Sequence, residues 1–203
     1  MPEGHTLHRL ARDLDAAFGG RRVAVSSPQG RFADSAALVD GTVVRRAEAA
    51  GKHLFVELGG ERVLHVHLGL IGSFDVHPGV ADVPLPVGQV RLRLVSRDGG
   101  PASYADLRGA IVCELVTPAR RDEVVGRLGP DPLRSDADPG RAWQRISRSQ
   151  RPIGDLLLDQ EVLAGVGNVY RAELLFRHPC TPCGRGAPCG WASGGRCGPT
   201  WWR

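Results

Sequence analysis

Lysine is almost missing from this chain. Of 26 basic side chains in 203 residues, Lys52 is the one that is not arginine. With abundant Ala, Gly, Val and Pro, this bias matches a GC-rich genome, where lysine codons are rare, and taken alone the lysine kept under that pressure is either a chance surface survivor or kept for a chemical reason. Long hydrophobic runs are missing too. The first thirty residues hold no apolar core of secretory length, and nothing approaches the roughly 18 apolar residues of a membrane span, so a cytoplasmic protein with no membrane partner is expected. A large charge excess is also lacking: the net charge of +4 and pI near 9.1 suit a polyanionic partner without requiring one. Cysteine is scarce before the final segment, which carries four of the five, Cys180 to Cys197. Cys180-x-x-Cys183 starts like a zinc knuckle, but Cys189 and Cys197 are isolated and the intervening residues have neither strand nor helix period. Neither a metal site nor, in a cytosolic chain, a disulfide is expected there.

What is present suits a folded protein. A hydrophobic content of 42% over this length supports one large or two small domains. The chain opens MPEGH, and the small Pro2 lets the initiator methionine be removed, leaving a secondary amine with a pKa of roughly 8. Such an amine attacks aldehydic carbon to give an iminium ion, and the neighbouring Glu3 is suited to moving protons around the same atom. Taken alone, Met-Pro-Glu is an ordinary processed terminus that frays. The next segment argues for anchoring. In HTLHRLARDLDAAFGG the residues Leu7, Leu10, Ala11, Leu14, Ala17 and Phe18 fall at helical spacing, with Thr6 expected to cap the helix and Gly19-Gly20 to end it.

Short runs with strand period follow: RRVAVSS, TVVRRAEAA, KHLFVELGG, RVLHVHLGL, SFDVHP, QVRLRLVS and AIVCELVT, separated by Gly, Asp-Gly and Pro turns. At least seven strands at this spacing predict an antiparallel sandwich over residues 1–117. From Pro118 the pattern is helical, in ARRDEVVGRL, DPGRAWQRI, PIGDLLLD and GNVYRAELLFRH. The fold class expected is α+β with two domains: an N-terminal antiparallel β-sandwich with an N-terminal helix, then a partial helical domain over 118–178. His65 and His67 alternate on one predicted strand, and two histidines without a third ligand read as a polar face rather than a metal site. In LAGVGNVY, Asn168 follows a Gly-Val-Gly turn and opens a helix, so turn amides and the Asn side chain can converge on a phosphate. An ordinary turn between packed helices is the other possibility. A dinucleotide loop is excluded by the missing third glycine and the absence of a βαβ unit.

Six strings in order, MPEG, GKHL, HLGLIGSF, YADLRG, LGPDPL and DQEVLAGVGNVYRAELLF, resemble the formamidopyrimidine-DNA glycosylase and endonuclease VIII family from residue 1 to about 178. The resemblance implies a bifunctional DNA glycosylase and abasic-site lyase of base excision repair, with a helix-two-turn-helix module, acting as a monomer on double-stranded DNA that contains damaged bases or abasic sites. It implies Pro2 as the nucleophile at C1′, Glu3 as general acid and base, and Lys52 as the group that assists β-elimination and contacts phosphate. Arginine, with its much higher pKa, could not readily replace that lysine. It further implies Leu70 as the wedge that fills the gap left by a flipped nucleotide, Arg108 facing the opposite strand, and Asn168 on phosphate with Tyr170 and Arg171 in the same helix start. Leu70 read alone is either that wedge or a core leucine, and the flanking Gly69 and Gly72 favour the wedge. DLR is followed by Gly109-Ala110 where enzymes of guanine oxidation have arginine and an aromatic. That departure points to the endonuclease VIII-like branch, actinobacterial members included, and to oxidised pyrimidines, with oxidised purines as the alternative.

Beyond residue 178 the match stops, whereas family members continue and often carry a structural zinc in a C-terminal finger that has no counterpart here. Residues 179–203 are expected to be a disordered tail, arising from a reading-frame shift near His178-Pro179, since GC-rich codons read two nucleotides later restore "HP" and "RPGR" features. A truncated, catalytically impaired DNA-binding product is therefore the alternative to an active enzyme. No cofactor is expected.

Overall fold

A computed structural model describes residues 2–98 and 100–178. The chain divides into two compact units after Val124. The tail from residue 179, with the frame-shift and zinc questions attached to it, lies outside the described residues.

The first unit opens with helix α1, Gly4–Phe18, whose buried residues Leu7, Leu10, Leu14 and Phe18 form the stripe that the spacing predicted. Its start differs from expectation. Glu3, in extended conformation, is the N-cap, and its carbonyl accepts from Thr6 N at 2.9 Å and Leu7 N at 3.4 Å. The chain turns helical as soon as Pro2, which has no amide to place, is passed, so Thr6 already lies inside the first turn and its hydroxyl meets the His5 ring instead. This fixes Glu3 at the mouth of the helix.

Eight strands form two antiparallel sheets of four: β1 (Val23–Ser26), β2 (Val44–Ala50), β3 (His53–Leu58), β4 (Arg62–His67), β5 (Ser73–Val80), β6 (Val90–Ser96), β7 (Ala102–Arg108) and β8 (Val112–Val116). The sheet orders are β1-β6-β7-β5 and β2-β3-β4-β8. Alternate residues supply the shared core: Leu54, Val56 and Leu58 on β3, Leu64 and Val66 on β4, Leu92 and Leu94 on β6, and Ala105 and Leu107 on β7, together with the α1 stripe. All seven predicted runs are strands. Two elements were not predicted, the short helix α2 (Ala33–Val39) and strand β7. In β7 the buried Asp106 interrupts the apolar signal, and the fold accommodates it with Arg93 of β6, whose Nε and Nη2 lie 2.7 and 3.1 Å from the two carboxylate oxygens. Helix α3, Pro118–Gly126, follows, and its Arg121 pairs with Glu48 of β2 at 2.6 Å.

The second unit holds helices α4 (Pro139–Ser147), α5 (Ile153–Leu158) and α6 (Asn168–Arg177), matching the predicted helical runs. Asp138 caps α4 through Gly140 N at 2.8 Å. Two small clusters, Ala142-Leu157-Leu163-Val166 and Ile146-Leu156-Val162, hold it together. The LGPDPL segment is strapped to the loop before α6 by Gly129 N on Gln160 O at 2.8 Å and Ala164 N on Pro130 O at 3.0 Å.

Candidate active site and nucleic-acid interface

Glu3 stands at a helix start and Lys52 on a hairpin turn, near enough for their charges to act on each other. Ala50 pairs with His53, leaving a two-residue turn of Gly51 and Lys52, in which Gly51 takes the left-handed φ of 57° that a hairpin with glycine first requires. The turn projects Lys52 from the end of β2 and β3. Burial holds its ammonium below the ordinary lysine range, and the Glu3 carboxylate, acting on it through space, pulls in the opposite direction. Glu3 is fully buried and Pro2 half-buried. The three candidate catalytic residues thus comprise two consecutive positions at the start of the chain and a lysine on a turn that feels the charge of the second of them.

Around that turn stands a polar cluster. His67 Nδ1 lies 2.8 Å from the Lys52 carbonyl, His53 Nδ1 lies 2.9 Å from His65 Nε2, and His65 Nδ1 lies 2.9 Å from Glu114 Oε1. His65 and His67 are a satisfied polar face, as their alternation implied, with His53 as an unanticipated third member. Among the described residues no group of three or more His, Cys, Asp or Glu side chains could hold a metal ion. Cys113 is buried, which pushes its thiol up to about 12 and leaves it unreactive near neutral pH.

Leu70 sits in the turn from β4 to β5 and is 67% exposed. The turn is tight: Gly72 N donates to Leu68 O at 3.2 Å, and a Cβ on Gly72 would lie 2.3 Å from that oxygen. Two residues that the sequence reading passed over accompany it. Ile71 is 88% exposed, and Ile111, 66% exposed, lies over Gly69, where a Cβ would come within 2.3 Å of its Cδ1. The available signal was GLIG, two large apolar residues between glycines in a turn. Arg108, at the end of β7, is held by Asp75 at 3.1 Å and Asp106 at 2.9 Å, and its Nε donates to Val87 O at 3.2 Å.

In the second unit Asn168 is the first residue of α6 and is exposed, as is Tyr170, with Arg171 half-buried. The loop before them is braced by a residue not singled out from sequence: the Gln160 amide donates to Leu158 O and Val166 O and accepts from Gly165 N, at 2.9, 3.0 and 3.0 Å. An α6 N-terminus offered on a braced glycine loop has the geometry of an anion contact.

The chain thus combines a β-sandwich that opens with a helix, a lysine-bearing hairpin turn and a separate helical unit. Residues 1–112 match the formamidopyrimidine-DNA glycosylase N-terminal domain and residues 128–187 the H2TH domain of the same enzymes. The chain belongs to the formamidopyrimidine-DNA glycosylase and endonuclease VIII family. Within it, the chain is 59% identical over 184 residues to endonuclease 8 1 of Mycobacterium tuberculosis, covering 90% of this chain and 67% of that one. It is 37% identical over 187 residues to a probable endonuclease 8 2 of Streptomyces coelicolor, covering 90% of this chain and 65% of the relative. The structure is similar to Lactococcus lactis formamidopyrimidine-DNA glycosylase bound non-covalently to DNA containing an AP site, with a TM-score of 0.74, 23% identity, and coverage of 91% of this chain and 71% of that one. The chain spans about two thirds of the length of these curated relatives.

Proposed function

We propose that this protein is a base-excision repair enzyme, a DNA glycosylase and abasic-site lyase acting as a monomer on damaged duplex DNA in the cytoplasm. The proposal rests on the buried Glu3 at the mouth of α1, whose carboxylate acts through space on the chain's single lysine on the β2–β3 turn. Removal of Met1 frees the Pro2 amine. Its lone pair attacks C1′ of a flipped nucleotide, the glycosidic bond breaks, and the base leaves with a proton. Loss of the amine proton and opening of the sugar ring give the iminium ion at C1′, with Glu3 moving protons at the ring oxygen. The iminium acidifies the C2′ hydrogen, whose removal expels the 3′ phosphate in β-elimination. Lys52 assists this step and contacts phosphate, and water then releases Pro2. The amine supplies the electron sink, so the scheme calls on no cofactor.

The family resemblance implies an arginine and an aromatic after this motif in enzymes that excise oxidised guanine; Gly109 and Ala110 stand there instead, which supports oxidised pyrimidines as preferred substrates. The test is a pair of duplexes, one with an oxidised pyrimidine and one with a preformed abasic site. Cleavage of both at the damaged position is expected. Cleavage of the abasic duplex alone limits the activity to the lyase, and binding without cleavage of either favours an impaired DNA-binding product.

A further inference from the structure

Three histidines occupy one face of the second sheet, opposite the face that carries Leu54, Val56, Leu64 and Val66 into the core. The proposed reaction gives them no task. Their hydrogen bonds fix their tautomers. A carboxylate can only accept, so His65 Nδ1 carries a proton toward Glu114 Oε1 at 2.9 Å. His65 Nε2 is then the acceptor of a neutral ring, and His53 Nδ1, 2.9 Å away, donates to it. A carbonyl likewise only accepts, so His67 Nδ1 donates to Lys52 O at 2.8 Å. The His53 ring lies 5.1 Å from that of His65 and stacks on that of His67 at 5.0 Å. The turn is therefore tethered twice, at the carbonyl of Lys52 and at the ring of the residue that follows it, and the second tether runs through β4 to Glu114 on β8.

We infer that His67, and the chain His53–His65–Glu114, are positioning residues for Lys52. They hold the Gly51-Lys52 turn so that the ammonium keeps its partly buried place within reach of the Glu3 charge. A lysine stem is among the most flexible of side chains, and its ammonium can be placed reproducibly only if the backbone beneath it is fixed. Gly51 contributes no side chain to that task, so the sheet supplies it through the histidines. Desolvation keeps His53 and His65 in the neutral form that the chain of bonds requires. The inference rests on Lys52 serving the elimination step, and the experiment separates the two claims.

Because Lys52 is the only lysine, protein grown with 13Cε-lysine gives a single lysine resonance, whose pH titration reports its surroundings without assignment. In the native chain that resonance is expected to titrate below the usual lysine value of about 10.4. In His67→Leu it is expected to move to the ordinary value, with β-elimination slowed about tenfold or more while borohydride trapping on abasic DNA persists. His67→Asn, which places an N–H near the Nδ1 position, is expected to restore both. Glu114→Ala removes the far anchor from a side chain that is 51% exposed, so it opens no cavity and reports on the relay should His67→Leu not fold. A wild-type lysine signal and wild-type elimination in the folded variants would overturn the inference. Should the native chain neither trap nor cleave, the reaction scheme fails, and the lysine titration still decides the positioning claim.

Discussion

At the scale of single residues, the site depends on groups whose partners are already in place. Asp106 is shared by Arg93, buried beside it, and Arg108, half-buried at the strand end. Removing its carboxylate leaves Arg93 buried without a counter-charge, so Asp106→Ala is expected to lower stability by about 3–5 kcal/mol, measured by urea unfolding. Retained stability would show that Arg93 reaches water. Leu70 behaves differently, because its exposed side chain does little for the free protein. Leu70→Ala is expected to leave unfolding unchanged and to weaken binding to a lesion duplex by about 1–2 kcal/mol, with little effect on undamaged duplex, since a wedge acts only once the base is out of the stack. Equal losses on both duplexes would remove it from that role. Position by position, composition singled out Lys52 and flanking glycines singled out Leu70, and the structure places the first on a turn and leaves the second exposed. Ile71 and Ile111 were not, since an exposed isoleucine and a core isoleucine look alike in a sequence.

At the scale of elements, β3, β4 and β8 form the support under the lysine turn, and their histidines make that support sensitive to pH. His53 falls from the ordinary 6.5 to about 4, first through burial and then through the neighbouring His65 and His67, while Arg120 and Glu114 act on His65. The unfolded chain therefore binds a proton before the folded one does. Stability from this source is complete above about pH 6.5 and is lost as pH falls toward 4, with a slope of up to about 1.4 kcal/mol per pH unit. Urea melts between these limits are expected to show that slope in the native chain and a shallower one in His53→Phe. An unchanged slope would assign the acid sensitivity to other groups. The strands themselves were readable because short apolar, β-branched runs such as Leu54-Phe55-Val56 and Val63-Leu64 are bounded by glycine and charged turn residues. Strand β7 was not, because Asp106 occupies a buried position that only Arg93, from another strand, makes tolerable. The histidine relay was equally hidden, since His65 and Glu114 stand 49 residues apart and meet only through the β4–β8 register. The start of α1 was misplaced by a few residues for a local reason: a threonine signals a cap only if the helix has not already begun.

At the scale of the whole molecule, the β-sandwich carries Pro2, Glu3 and Lys52, proposed for bond chemistry, and the helical unit carries Asn168, proposed for phosphate contact, each described within its own unit. The two units were legible from the change of strand to helical period near Pro118, and the six ordered motifs carried the resemblance to the family. The central claim is that the Pro2 amine forms a covalent bond with DNA. Since the chain has a single lysine, only two amines can form a Schiff base, the terminal one and Lys52. The direct measurement is borohydride reduction during incubation with an abasic duplex, followed by proteolysis and mass mapping of the DNA-linked peptide. One adduct is expected, on Pro2 of chains that have lost Met1, strongly reduced in Pro2→Gly and retained in Lys52→Ala with slowed elimination. An adduct on Lys52, or none on a duplex that the protein demonstrably cleaves, would contradict it.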